Sequence, residues 1–187
     1  MASERMGRFL KWSIIVLAGL VVVAVVGFRV MKDRTKQASP EETVTFTVGD
    51  LNATVNYSRP SVKGRPIFGH LVPYGKVWRT GANEPTTITF DRPVRFGGTT
   101  VEPGKYTLWT IPGPTEWSVI LNRKMYGWGI DFDGNATREP IADVARAKVA
   151  PNMLDRSVEQ FTITVEPAPT RLVLSWEHTQ VEVVLEP

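Results

Sequence analysis

Apolar positions follow two regimes along this chain. From Trp12 to Phe28 seventeen residues pass without a charge. With Val30 and Met31 beyond a snorkelling Arg29, the run approaches the ~20 residues that a bilayer core requires. Arg5, Arg8 and Lys11 precede it, and no small-x-small cleavage site follows it. This predicts an uncleaved, single-pass membrane anchor rather than a signal peptide. The chain then divides into a tail at 1–11, a transmembrane helix at 12–31, a polar linker at 32–42 and a domain at 43–187.

Beyond Thr43 the period changes to two. Val44, Phe46 and Val48 alternate with threonines, Gly49-Asp50 makes a two-residue turn, and Leu51, Ala53, Val55 and Tyr57 alternate with polar residues, which predicts a β-hairpin. Alternation returns at Thr86, Ile88 and Phe90, at Val94 and Phe96, over 105–111, and at Trp117, Val119 and Leu121 against Glu116, Ser118 and Ile120. It recurs over 158–165, 172–176 and 181–185. Ile141–Val149 fits a helical period as well as a strand and is read as a strand. Nine or ten short strands predict a mainly β, antiparallel sandwich-like or barrel-like domain.

The stretch from Tyr57 to Glu84 breaks this rhythm. Its 28 residues hold five cations (Arg59, Lys63, Arg65, Lys76, Arg79), four aromatics, and glycines and prolines throughout. Pro60, Pro66 and Pro73 fix φ and withhold donors, and Gly64, Gly69, Gly75 and Gly81 permit turns, so an ordered loop system is expected. Its charges have two fates open to them. They tie the loop to itself, with Arg59 or Arg79 holding Glu84 and backbone carbonyls. Alternatively they converge on an anion, with Arg65 and Arg79 as forks, Lys63 as a point charge and Asn83 donating an amide hydrogen bond. The candidate ligand-binding set is Arg59, Lys63, Arg65, Trp78, Arg79, Asn83 and Glu84.

Within and beyond that stretch, SRPSVKGR at 58–65, IFG at 67–69, LVPYGKVWRTGANE at 71–84, TIPG at 110–113 and LSWE at 174–177 resemble the bacterial DUF2911 family. The resemblance runs from about Leu51 to the C-terminus. It implies a domain of unknown function, with no activity to carry over. Arg5, Arg8, Lys11 and the amino terminus precede the span and Arg29, Lys32, Arg34 and Lys36 follow it, so the flanking charges are close to balanced. The resemblance decides the expected orientation: family members often carry export signals, and a soluble β domain behind a signal-anchor is a common bacterial layout, which favours a cytoplasmic N-terminus and an extracytoplasmic domain.

Charge narrows the function classes. The net +3 is misleading, because residues 1–36 hold seven Lys or Arg against two acids, whereas 37–187 hold fifteen against seventeen. A slightly acidic domain argues against nucleic acid as a partner. There is no cysteine, and only His70 and His178 are available, so thiolate chemistry and a multi-histidine metal site are excluded. Asp131, Asp133 and Asn135 suggest a calcium loop, but Ala136 and Ala142 occupy the positions that should be Gly and Glu, leaving an ordinary turn and no metal. Trp78, Tyr74, Tyr126 and Trp128 are the aromatics free enough to stack on a sugar, a weaker reading than core packing. No cofactor is implied.

Two classes of function follow. One is a membrane-held binding module that engages an anionic small ligand or an envelope protein partner. The other is a hydrolase-like envelope enzyme using Glu84 or His70 beside Ser58, Ser61 or Thr80, although no triad spacing or nucleophile elbow accompanies them.

Overall fold

A computed structural model describes residues 2–186 of the chain, with side chains described from Lys11 onward apart from Ser13. The first unit is a helix, α1 (Ala2–Ala38). Its segment Ile14–Ala38 is long and apolar enough to cross a membrane, with a mean hydropathy of 2.7 over an 18-residue window, a test that a signal sequence also meets. Its large apolar side chains stand exposed, so they contribute nothing to a protein core.

The second unit, Ala38–Pro187, is built from ten strands: β1 (Glu41–Val48), β2 (Leu51–Ser58), β3 (Thr87–Phe90), β4 (Val94–Phe96), β5 (Thr99–Val101), β6 (Gly104–Ile111), β7 (Trp117–Asn122), β8 (Asp143–Val149), β9 (Asn152–Pro167) and β10 (Thr170–Glu186). They form two antiparallel sheets, six-stranded in the order β1-β2-β3-β6-β7-β8 and four-stranded in the order β5-β4-β10-β9. The sandwich-like alternative therefore holds, and the barrel does not close. One core cluster joins the two sheets, with Val55, Ile88, Leu108 and Val119 from the first and Phe161, Leu172, Leu174 and Val183 from the second.

The β1–β2 hairpin follows from its alternation. Val44 pairs with Val55 and Phe46 with Ala53, which puts the apolar set of both strands on one face. Gly49 takes φ +57 at the first loop position, where a type II′ turn needs a residue with positive φ. In the ambiguous stretch after 140, a short 3-10 turn at Pro140–Ala142 leads into a true strand, whose Ala147 pairs with Val119.

Three features depart from the expectations. The stretch expected as a linker at 32–42 is helix as far as Ala38 and strand from Glu41. The residues Lys32 to Gln37 favour a helix, and Pro40 restricts Ser39 to an extended conformation, which ends it. The alternation at β7 also fails, because Ile120 is as buried as Leu121. The segment 123–142 covers the outer face of the first sheet here, with Tyr126 packed edge-on to Trp109 at 5.2 Å. Finally, the segments expected over 172–176 and 181–185 are one continuous strand, β10. Its ladder with β9 shifts register around Glu177, which takes φ +54 in a β-bulge.

Candidate functional site

After Ser58 the chain leaves β2 and is folded into loops by its own backbone. Arg65 N–H donates to Val62 O at 3.1 Å, Val72 N–H to Ile67 O at 2.9 Å, and Gly75 N–H to Pro112 O at 2.8 Å. Val62, Ile67 and Val72 pin the loops to the core. Ile67 N–H also donates to the Glu177 carboxylate at 3.3 Å, tying the loops to the bulge in β10.

Trp78 then returns to the first sheet, exchanging backbone hydrogen bonds with Thr110 at 2.7 and 2.9 Å. Its ring stacks on Trp176 with centroids 5.7 Å apart and planes 17° from parallel, while Phe161 and Phe68 pack against it edge-on. The chain next makes a tight corner in which Thr80 has φ +55, Gly81 +148 and Asn83 +57. Thr80 is held by a hydrogen bond between its hydroxyl and that of Thr110 at 3.2 Å, and its carbonyl accepts the Thr86 hydroxyl. Gly81 lies so near β2 that a Cβ there would come within 2.9 Å of the Ser58 carbonyl oxygen.

This corner presents Arg79 and Trp78 to a cleft of about 650 Å³. Arg65 and Lys76 line it from the loops, Trp176 from β10, and Ile130 and Asn135 from the segment between β7 and β8. Among the described lining residues, three are cations and none is a carboxylate or an imidazole. Arg79 is half-buried, and its Nε–H lies buried with no hydrogen-bond partner, as does the indole N–H of Trp176. Desolvation by burial holds the Arg79 guanidinium below its ordinary pKa, an effect that the negative charge of Glu84 opposes. A buried donor left unpaired carries a cost that an acceptor from a ligand would remove.

The candidate residues therefore separate. Arg65, Trp78 and Arg79 line the cleft. Arg59 is spent on the fold: it pairs with Glu42, and its guanidinium donates to Phe161 O at 3.3 Å and to Thr162 Oγ1 at 3.1 Å. Asn83 is buried, and its amide donates to Ser39 O at 3.2 Å and Ser58 Oγ at 3.3 Å. Lys63 is exposed with φ +49, and its backbone N–H donates to the Glu159 carboxylate at 3.0 Å. Glu84 sits in the field of Arg79 without lining the cleft, and His70 is exposed outside it.

Sequence reasoning missed Trp176, which reads as one more apolar strand residue, and the contribution of Ile130 and Asn135. The latter two flank a turn that does what an Asp/Gly/Asn loop ordinarily does. The Asp131 carboxylate accepts the backbone N–H groups of Asp133 and Asn135 at 3.0 and 2.8 Å, closing the tip of a small hairpin in which Ile130 bridges to Ala136.

A family model described as a protein of unknown function (DUF2911) matches residues 39–185. No curated protein and no solved structure matches the chain. The matched span covers all of the β domain but Ala38 at its start and the last two residues, including every loop of the cleft, and the chain belongs to the DUF2911 family.

Proposed function

We propose that the domain is a binding module for an anionic ligand with an apolar part, anchored to a membrane by α1 and displayed on the extracytoplasmic side. The observation that carries this reading is a cleft whose charged lining, among the described residues, is entirely cationic and includes the half-buried Arg79, whose buried Nε–H has no partner. A phosphate or carboxylate oxygen would supply the missing acceptor, with Arg79 as a planar fork and Arg65 and Lys76 adding charge. The stacked indoles of Trp78 and Trp176 would take the apolar portion. Arg59, Asn83 and Glu84 shape the loop rather than touch the ligand.

Calorimetric titration with medium-chain alkyl phosphates and carboxylates tests the reading. Saturable binding that weakens with salt, fails with the matching neutral alcohols and disappears in Arg79→Leu is the expected result. Equal binding of acids and alcohols, or no binding of either, contradicts it.

A further inference from the structure

We infer that the anion taken by the cleft is the headgroup of a membrane lipid, an inference that rests on the anion-binding reading above and narrows it. The first ground is apolar exposure beside the site. Phe132 stands fully exposed at the tip of the hairpin whose base residues Ile130 and Ala136 line the cleft, and Leu71, another lining residue, is 48 % exposed. Neither packs into the core, and such side chains beside cations suit the boundary between headgroups and acyl chains.

The second ground is charge. Arg65, Lys76 and Arg79 line the cleft, against two exposed carboxylates at the hairpin tip, Asp133 and Asp131, the latter held by the amides of its own turn. The balance favours an anionic surface.

The third ground is chain length. Ser39 lines the same cleft and lies eight positions along the chain from Met31, where the apolar run ends. Even fully extended, that length reaches ~28 Å. The chain after it is not slack, because Ser39 O accepts from Asn83 and Pro40 O accepts the Arg59 N–H at 2.8 Å. If α1 sits in a bilayer, the cleft is confined to the bilayer's neighbourhood, where lipid headgroups are the most concentrated anions.

The test uses residues 38–187, whose core is drawn from their own side chains and which lack the helix that would insert by itself. Sedimentation with phosphatidylcholine vesicles, alone or with an equal part of phosphatidylglycerol, is set beside calorimetry with octyl phosphate. The expected result is binding to the anionic vesicles only. Lys76→Ala should weaken it about fivefold. Phe132→Ser should weaken it about tenfold while leaving the affinity for octyl phosphate and the melting temperature unchanged. Binding of octyl phosphate without binding to vesicles overturns the lipid inference and leaves the anion-binding reading standing. Vesicle binding indifferent to both substitutions also overturns it, and failure to bind either probe overturns both.

Discussion

Between Trp78 and Thr86 the backbone adopts three conformations with positive φ in four residues, two of them at side chains other than glycine. Thr80 is the least comfortable, since a β-branched residue crowds its own backbone there. Its hydrogen bonds to Thr110 and Thr86 hold it in place. Gly81 has no such latitude. Gly81→Ala should cost on the order of 2 kcal/mol in a urea melt, because its Cβ would press on a backbone carbonyl that cannot rotate away. Away from the cleft, Asp91 accepts both the backbone N–H of Asn52 at 2.7 Å and its side-chain amide at 2.8 Å. These hydrogen bonds, the side-chain one foremost, hold its pKa below the ordinary 3.8. A carboxylate depressed in the folded state stabilises above its unfolded pKa, and that stability is lost as pH falls from 3.8 through the lower folded value. Acid melts of Asp91→Asn should accordingly show a shallower loss of stability below pH 3.8 than the parent protein.

The strands were legible where one face met the core and the other met water, as in the β1–β2 hairpin. They were illegible where both faces were covered. Ile120 looks outward in the alternation, yet it and its cross-strand partner Trp109 are buried, Trp109 against Tyr126 of the irregular segment 123–142, which has no periodicity to announce it. The loop cations were legible as a concentration, but their division was not. Arg59 is consumed by partners 102 and 103 residues away, and nothing local in the sequence marks that use. Trp176 shows the same limit from the other sheet, because its approach to Trp78 depends on how the two sheets face each other. Tyr57 displays how β2 is joined to that second sheet. Its hydroxyl accepts the backbone N–H of Ile163 at 3.0 Å, and burial raises its pKa above the usual 10.0. Tyr57→Phe keeps the edge-on packing on Phe161 but leaves a buried donor unpaired, so a loss of about 1–3 kcal/mol is expected by chemical denaturation.

The molecule separates into a helix whose apolar side chains remain exposed and a β domain that carries its own core. Residues 38–187 produced without the helix should give a β-type far-ultraviolet spectrum and a single cooperative melt; a spectrum dominated by helix would contradict the independence of the domain. Protease added to spheroplasts should remove the domain and leave a small membrane-embedded fragment, whereas full protection would place the domain on the cytoplasmic side. Whether Arg79 meets an anion decides the proposed function. The Arg79 Nε–H, buried and unpartnered, reports this directly in a nitrogen–proton correlation spectrum of the domain. On titration with octyl phosphate the account predicts that this resonance moves downfield and saturates together with the indole N–H signals of Trp78 and Trp176. An Arg79 Nε–H that stays in place while octyl phosphate perturbs residues elsewhere would contradict it.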